Sequence, residues 1–327
     1  MKNSFLGLCL LFTATTAQAQ MTSGLTGKVD TTFSNASAYR QAVKKYPTIE
    51  LVQEAKLPTV KEKRNIPYCK LGSRVLALDA FYPKKNSIAK LPAILIIHGG
   101  GWRSGNRQQH IPLAQRLAGL GYATFTVEYR LSTEALYPAA VHDLKAAVRF
   151  IKAHAKKFNL DTTKVTALGF SAGGELAAFM GVTNQNPAFE GESCQGKTGS
   201  QVQAVIDLDG TLSFVHPESG EGNDSKNISA ATYWFGYPKK ENLALWQEAS
   251  PLTHVGKHTP PFLFINSSVD RMHAGRDDFR KVLYQHSIYS EVHSFPDSPH
   301  TFPLFNPWFE PTVQFIDDFL KKVFAEE

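Results

Sequence analysis

The sequence predicts an α/β fold in which a mostly parallel sheet is covered by helices on both faces. Short apolar runs such as Ala93 to Ile97 and Val165 to Leu168 have the length and composition of fully buried strands. Between such runs lie stripes at helical spacing, the clearest over residues 141–155, with apolar side chains on one face and charged ones off it. Strands that alternate with helices in this way form parallel sheets.

The elements follow one another regularly from residue 74 onward. Predicted strands lie at residues 74–82, 93–97, 123–127, 165–168, 204–208, 262–266 and 291–295, and predicted helices at 113–120, 141–155, 175–180 and 316–323. Residues 20–68 show few strand signals and many polar ones. We therefore expect an N-terminal extension over 20–68 that packs on the main domain or partly covers its site, and a single large domain over 69–327.

Two stretches interrupt the rhythm of the main domain, at about residues 183–200 and 211–245. The second contains a run rich in Gly, Ser, Asp and Glu, followed by Tyr233-Trp234-Phe235. Both emerge at the edge of the sheet that carries the motifs described below. We expect them to form a lid that shapes the substrate site, the alternative being surface loops without a role in binding.

Residues 1–19 have the features of a cleavable export signal. Lys2 precedes an apolar stretch from Phe5 to Phe12, and Ala17-Gln18-Ala19 has small residues at the positions that a signal peptidase requires. The apolar stretch is too short to span a bilayer, so no membrane anchor is expected. The mature protein is predicted to be periplasmic or secreted.

Charge and cysteine content narrow the classes of partner. The chain has 327 residues and a formal net charge of +6, and the excess is scattered. It would tolerate a polyanionic substrate such as a uronic-acid polymer. No basic stripe with interleaved aromatic residues is present, so nucleic acid is not expected as a partner. Cys69 and Cys194 either pair in an oxidising compartment or remain two buried free thiols.

The most informative motif is Gly169-Phe170-Ser171-Ala172-Gly173-Gly174, which lies between a predicted strand and a predicted helix. A serine at such a strand-to-helix turn is exposed at its apex, and the flanking glycines allow the tight backbone. A second motif upstream, His98-Gly99-Gly100-Gly101-Trp102, again follows a buried strand. The two motifs together are far more specific than either alone, and they point to Ser171 as a nucleophile.

A serine hydroxyl needs a histidine to take its proton and a carboxylate to orient that histidine. The serine turn resembles that of α/β-hydrolases, in which the chain order is serine, acid, histidine. Asp270 and His300 follow late predicted strands in that order and are the predicted partners of Ser171. Asp207 and Asp209, which follow an earlier strand, are the reserve acids.

The glycines after His98 supply the remaining requirement of acyl transfer. Attack on an ester turns the carbonyl oxygen into an alkoxide, which preorganised backbone N–H groups stabilise. Gly100, Gly101 and Ala172 are the predicted donors of this oxyanion hole. Trp102 either forms the floor of the acyl pocket or packs beneath the loop. Both Trp102 and Trp234 are predicted to contact substrate.

No metal or nucleotide cofactor is expected. The sequence contains no H-E-x-x-H or C-x-x-C spacing and no clustered His/Asp set. It also has no G-x-G-x-x-G after a predicted strand, which a dinucleotide site would require.

These motifs resemble those of α/β-hydrolase carboxylesterases of the hormone-sensitive-lipase-like type, over residues 70–325. Within that class the chain is most similar to secreted bacterial carbohydrate esterases, which remove acetyl or feruloyl groups from plant cell-wall polysaccharides. The resemblance implies an α/β-hydrolase fold with lid insertions and a serine esterase that deacylates a carbohydrate such as pectin or xylan. The ending around His300 to Phe309 is similar to that of pectin-related acetylesterases. The motifs that carry the resemblance are His98 to Trp102, Tyr129 to Ser132, His142-Asp143, Gly169 to Gly174, Asp270 and His300.

Two other functions remain open at this point. A serine peptidase of the prolyl-oligopeptidase type shares the fold and the serine turn, although it usually lacks a triple glycine after the histidine and carries a large N-terminal propeller. A non-catalytic glycan-binding protein on a hydrolase fold is the alternative of another class. The complete set of serine, acid, histidine and oxyanion glycines favours an enzyme.

Overall fold

The structure is a computed structural model that describes residues 20–84, 89–194, 196 and 198–325. The predicted export signal at residues 1–19 lies outside the described residues. The strands are β1 (Glu50–Leu51), β2 (Val60–Leu71), β3 (Arg74–Pro83), β4 (Leu91–Ile97), β5 (Ala123–Val127), β6 (Leu160–Phe170), β7 (Ala204–Leu208), β8 (Phe262–Asn266), β9 (Ser290–Ser294) and β10 (Phe305–Asn306). The α-helices are α1 (Asn35–Ala42), α2 (Ile111–Gly119), α3 (Ala139–Ala153), α4 (Ala155–Phe158), α5 (Ala172–Val182), α6 (Ala230–Phe235), α7 (Leu243–Glu248), α8 (Pro251–His254), α9 (Arg276–Gln285) and α10 (Phe309–Val323).

Eight of these strands form one sheet in the order β2-β3-β5-β4-β6-β7-β8-β9. The strands from β5 to β9 in this order run parallel, whereas β2, β3 and β5 pair antiparallel. Strands β1 and β10 form a separate two-stranded pair. The carboxyl ends of β4, β6 and β7 therefore lie side by side at one edge of the sheet.

Helices cover both faces of the sheet because the central strands are apolar on both sides. On β4, Ala93, Leu95 and Ile97 belong to a core that also contains apolar side chains of α3 and α5. Ile94 and Ile96 point to the opposite face, which is packed against α2 and α10. The predicted fold class, a mostly parallel sheet between two helical layers, is confirmed.

The sheet begins earlier than the sequence predicts. Residues 60–71, which fall largely within the predicted N-terminal extension, form the edge strand β2. Its side chains alternate in burial, with Val60 buried and Lys61 exposed. Charged side chains on the solvated face of an edge strand suppress the apolar signal while protecting the edge. The prediction that the main domain starts at residue 69 is therefore wrong by about one strand.

Cys69 and Cys194 form a disulfide with a Cα–Cα distance of 5.6 Å. The bond links β2 to the first interrupting stretch, 183–200. The same stretch is held by ion pairs from α3, in which Lys145 and Arg149 contact the Glu190 carboxylate at 3.1 and 2.6 Å. This stretch is thus a surface segment fixed to α3 and β2.

Residues 20–27 lie across the second interrupting stretch, 211–245. The Met21 N–H donates to the Gly236 carbonyl at 2.7 Å, and the N–H groups of Thr26 and Gly27 both donate to Thr133 at 2.9 Å. The segment therefore packs on the main domain next to α6. Among the described residues, no helix is both long enough and apolar enough to cross a membrane.

Candidate active site

Ser171 occupies the turn between β6 and α5 with backbone angles of φ 57° and ψ −122°. A positive φ is costly for a residue with a Cβ atom and is characteristic of functional sites. The glycines around it are required by close backbone approach. A Cβ atom on Gly169 would overlap the carbonyl oxygen of Gly173, and one on Gly173 would overlap that of Ile97. The sequence thus forces the serine hydroxyl outward at the carboxyl end of β6.

His300 bridges Ser171 and an aspartate. Its Nε2 atom lies 2.9 Å from Ser171 Oγ, and its Nδ1 atom lies 2.9 Å from Asp209 Oδ2. The ring packs at 4.9 Å from the ring of Phe170, which limits its rotation. The three side chains form a continuous hydrogen-bonded chain of the kind that converts a serine into a nucleophile. The structure therefore brings together two of the three predicted residues, Ser171 and His300.

Asp209 is the carboxylate of this chain. It follows β7 directly, it is fully buried, and its φ is 57°. Its Oδ1 atom accepts the Ser267 N–H at 2.9 Å, and its Oδ2 atom accepts the Ser267 hydroxyl in addition to facing His300. These donors hold the carboxylate in one orientation, so that it fixes the position and tautomer of His300.

Asp270 does not contact His300, and its assignment as the acid of the triad is corrected to Asp209. The side chain of Asp270 is 99% exposed, and the Nε2 atom of His273 lies 3.9 Å from its Oδ1 atom. Three residues separate Asp270 from Asn266, the last residue of β8, and the intervening turn directs it into solvent. Asp209, in contrast, follows the strand next to β6 without any intervening turn.

The predicted oxyanion donors lie beside Ser171. Gly100 and Gly101 have φ angles of 126° and 59°, which turn their amides away from ordinary strand geometry. A Cβ atom on the preceding Gly99 would lie 3.1 Å from the Cβ atom of Ser171, so the loop runs alongside the serine. Within the described part of the chain, the N–H groups of Gly100, Gly101 and Ala172 donate to no acceptor. They are therefore available to a substrate oxygen.

The side chain of His98 packs against this loop and is buried, with 2% of the residue exposed. Its Nδ1 atom lies 2.9 Å from the Gly99 carbonyl oxygen, and its ring stacks on Tyr129 at 4.4 Å. The Gly99 N–H donates to Gln109 Oε1 at 2.7 Å. Burial lowers the pKa of His98 to about 4, so the ring is neutral at physiological pH. These contacts hold the loop in its position beside Ser171.

The two predicted substrate-contacting tryptophans are both buried. Trp234 is 0% exposed and Trp102 is 5% exposed, and their rings stack at 4.9 Å with an interplanar angle of 7°. Trp234 also packs against Phe214 and Phe235 in the core. The prediction that Trp234 contacts substrate is therefore wrong, because its side chain is buried in an aromatic cluster of the core. Trp102 packs beneath the loop, which was one of its two predicted roles.

Two buried carboxyl groups lie near the serine turn: Glu175, which is not among the predicted site residues, and Asp207, which is predicted as a reserve acid. Glu175, in the first turn of α5, accepts the indole N–H of Trp102 at 2.9 Å. Burial, opposed by this hydrogen bond and reinforced by Asp207, raises the pKa of Glu175 well above its usual value. Asp207 is also fully buried, and burial raises its pKa. A charged residue in an otherwise apolar helix was the sequence signal for Glu175.

The rim of the site carries a cation, Arg103, directly after Trp102. Its guanidinium lies 4.3 Å over the ring of Tyr233. Gly101 approaches the same helix, α6, since a Cβ atom on it would lie 3.1 Å from the Cβ atom of Ala230. Among the residues described here, the Arg103 side chain forms no ion pair, and its buried Nη1 atom has no hydrogen-bond partner. No group of three or more metal-ligating side chains is found in the same residues.

The chain is similar to known proteins in sequence and in fold. Residues 78–275 match the BD-FAE family. The chain is 28% identical to a probable carboxylic ester hydrolase, LipM, of Mycobacterium tuberculosis over 250 residues, which are 72% of this chain and 55% of that protein. It is 28% identical to the esterase LipC of the same organism over 198 residues, 59% of this chain and 48% of that one. The chain thus spans about half the length of these relatives.

Solved structures show the same fold. A truncated carbohydrate esterase from gut microbiota is 25% identical, with a TM-score of 0.69 over 84% of this chain and 100% of that one. A bifunctional GH43-CE protein of Bacteroides eggerthii is 26% identical, with a TM-score of 0.68 over 81% of this chain and 38% of that one. The fold is that of the α/β-hydrolases. Since the family match covers more than half of its residues, the chain belongs to the BD-FAE family.

Proposed function

We propose that this chain is a serine carboxylic-ester hydrolase that removes acyl groups, acetyl above all, from a plant cell-wall carbohydrate. The observation that carries the proposal is the hydrogen-bonded chain from Ser171 through His300 to Asp209. It ends beside the N–H groups of Gly100, Gly101 and Ala172. The names of the relatives, which are esterases, support the same reaction class.

In the proposed first step, Ser171 Oγ attacks the ester carbonyl carbon while its proton passes to His300 Nε2. The carbonyl oxygen becomes an alkoxide that accepts from the loop amides and from Ala172. The tetrahedral centre then expels the alcohol, whose oxygen takes the proton from His300, and an acyl-enzyme remains. Water, deprotonated by His300, attacks the acyl-enzyme in the second step and releases the acid and free Ser171. Asp209 stabilises the imidazolium in both steps.

Replacing Ser171 with alanine tests this mechanism directly. Loss of the nucleophile in comparable triads costs about a millionfold in kcat, so hydrolysis of p-nitrophenyl acetate should become undetectable. The wild-type protein should also be labelled by a fluorophosphonate probe, and the variant should not. Retention of turnover by Ser171→Ala would exclude the mechanism, and an unlabelled, inactive wild-type protein would favour the non-catalytic alternative.

A carbohydrate substrate is supported by the names of two structural neighbours, a carbohydrate esterase and a GH43-CE protein. Acetate release should be measured on acetylated pectin, acetylated xylan and acetylated monosaccharides, with aminoacyl-prolyl amides as the peptidase alternative. We expect release from at least one polymer and no amide cleavage. Cleavage of the amides without acetate release would replace the proposal by a peptidase.

Within this class, Arg103 favours a polymer that carries uronate carboxylates, as pectin does. Its half-buried guanidinium stacks on Tyr233 and forms no ion pair with a carboxylate among the described residues, so it can pair with a substrate carboxylate. A hydrogen bond to a charged group contributes about 1.5–3 kcal/mol. Arg103→Gln should therefore raise KM for acetylated polygalacturonate about tenfold and leave p-nitrophenyl acetate unaffected.

A matched control for Arg103 is Arg116→Gln, which removes an arginine that pairs with Glu310 across α2 and α10. That arginine is 45% exposed and lies away from the oxyanion loop. Equal KM values for Arg103→Gln and Arg116→Gln on the acidic polymer would remove the support for a uronate contact, without bearing on ester hydrolysis itself.

The proposed location is the periplasm or the cell exterior. The Cys69–Cys194 disulfide supports it, since such bonds persist in oxidising compartments. Expression with residues 1–19 fused to a reporter and fractionation of the cells would test it. A reporter that stays with the cytoplasm would contradict an export signal.

A further inference from the structure

Glu175 connects the two halves of the candidate oxyanion hole. It lies in α5, which starts with Ala172, and its Oε2 atom accepts the N–H of Trp102 at 2.9 Å. Trp102 directly follows Gly100 and Gly101 and has a left-handed φ of 56°. One buried hydrogen bond between side chains thus links the loop after β4, which carries Gly100 and Gly101, to the helix after β6, which begins with Ala172.

The other contacts of Trp102 do not fix the loop relative to α5. Its ring stacks on Trp234 at 4.9 Å and packs at 5.4 Å from the ring of Phe214, and neither of these partners belongs to the loop or to α5. Its carbonyl accepts the Ser132 N–H at 2.8 Å, and the Ser104 N–H returns to the Gly100 carbonyl at 3.0 Å. These bonds close the loop on itself and on the segment after β5. Among the contacts of the described residues, the bond to Glu175 is the side-chain link from this loop to the nucleophile helix.

The surroundings of the Glu175 carboxyl favour its neutral form. It is 0% exposed, and burial raises its pKa well above the usual range. An ionised carboxylate here would oppose the negative charge that develops on the substrate oxygen nearby. A neutral carboxyl accepts the indole N–H without that penalty. Its second oxygen, Oε1, has no hydrogen-bond partner, so Trp102 is what holds this side chain.

We propose that Glu175 is a positioning residue that, through Trp102, aligns the N–H groups of Gly100 and Gly101 with that of Ala172. The inference rests on the proposed esterase function. Glu175 contacts no substrate, so its effect reaches the reaction only through the geometry of the donors. Removing it should weaken binding of the transition-state oxygen while leaving binding of the ester itself nearly unchanged.

Three variants test the inference. Glu175→Leu removes the acceptor and keeps a buried side chain of similar length, whereas Glu175→Gln keeps an acceptor for the indole N–H. Trp102→Phe removes the donor and keeps an aromatic ring against Trp234. A matched control is Asp317→Leu, because Asp317 is also a buried acid that accepts from an aromatic donor, Tyr122 Oη at 2.8 Å, but lies on α10.

The readouts are kcat and KM for p-nitrophenyl acetate, normalised to active sites, and the preference for an ester over the matching thionoester. Loss of a whole oxyanion donor costs about a hundred- to a thousandfold in kcat. We expect misalignment in Glu175→Leu and Trp102→Phe to cost about ten- to a hundredfold in kcat, with KM within about threefold. The preference for the ester should fall by a similar factor, since sulfur is a poor hydrogen-bond acceptor. Glu175→Gln should stay within about threefold of wild type.

A purely structural role predicts a different result. Glu175→Leu and Asp317→Leu would then both lose thermal stability, and both would keep the wild-type kcat and ester preference per active site. That outcome overturns the inference, as does a Glu175→Gln variant as impaired as Glu175→Leu. If Glu175→Leu does not fold, Trp102→Phe decides by the same criteria. A wild-type protein without any esterase activity would instead overturn the proposed function, and the inference with it.

Discussion

Replacing Asp209 with asparagine should disable the enzyme, while the same change at Asp270 should not. In the structure Asp209 accepts from His300 Nδ1 and from the Ser267 hydroxyl on Oδ2, and from the Ser267 N–H on Oδ1. An asparagine amide presents an N–H to one of these donors in either orientation. With its amide N–H toward Nδ1, the imidazole takes the tautomer whose proton is on Nε2, and it can then no longer accept the proton of Ser171.

The expected loss follows from this change of tautomer. A comparable substitution in a serine protease triad lowers kcat by about ten thousandfold. The alternative orientation, in which the amide oxygen faces His300, leaves the Ser267 N–H opposite another donor at a fully buried position. That arrangement costs about 1–3 kcal/mol. Since both orientations are impaired, we expect Asp209→Asn to lose about a thousand- to ten thousandfold in kcat, or about 4–5.5 kcal/mol.

The assay is kcat for p-nitrophenyl acetate in the wild type, Asp209→Asn and Asp270→Asn, each normalised to the concentration of folded protein. Asp270 has a 99% exposed side chain and does not contact His300, so its variant should stay within about threefold of wild type. A loss of several orders of magnitude in Asp270→Asn, with Asp209→Asn close to wild type, would refute the assignment.

Three further predictions concern stability and backbone geometry. Replacing Cys69 and Cys194 with serine should lower the free energy of unfolding by about 2–5 kcal/mol, measured by heat or urea, because the disulfide closes a loop across 125 residues of sequence. The same change should leave kcat unchanged, and a lowered kcat per active site would contradict this. Gly173→Ala should abolish esterase activity or folding, since its Cβ atom would overlap a β4 carbonyl; an active variant would show that the turn relaxes. Burial lowers the pKa of His98 to about 4 and of His110 to about 3, so as pH falls the unfolded chain takes up protons before the folded one. The free energy of unfolding, measured in urea, should therefore fall by about 3–4 kcal/mol between pH 7 and pH 5. His110→Gln should remove about half of that loss, and an unchanged loss would exclude His110 as its source.

Much of the fold and of the site could be predicted because the relevant signals are local. Apolar runs of strand length indicated the parallel sheet, and the glycines around Ser171 indicated a turn that only one backbone path allows. The edge strand β2 could not be predicted because its exposed face carries charges such as Lys61. The burial of its other face depends on a partner strand that no local pattern identifies.

The acid could not be chosen from local signals. Asp209 and Asp270 both follow buried strands, and both precede His300 in the chain. What separates them is the strand order, since β7 lies next to β6, and the backbone at Asp209, whose φ of 57° turns its side chain toward His300. The burial of Trp234 is likewise a tertiary property, because the stack with Trp102 joins residues far apart in sequence.

The arrangement of the strands explains why the chemistry and the choice of substrate can vary separately. The nucleophile, the oxyanion loop and the acid follow β6, β4 and β7, which are neighbours in the centre of the sheet, so their spacing is fixed by backbone hydrogen bonds between strands. Glu175 adds a side-chain link between two of these three elements. The rim, in contrast, is built from residues 20–27, Arg103 and α6, which contact one another through side chains and a few loop hydrogen bonds. Substitutions there can therefore alter which ester the proposed esterase binds without disturbing the distances between Ser171, His300 and Asp209.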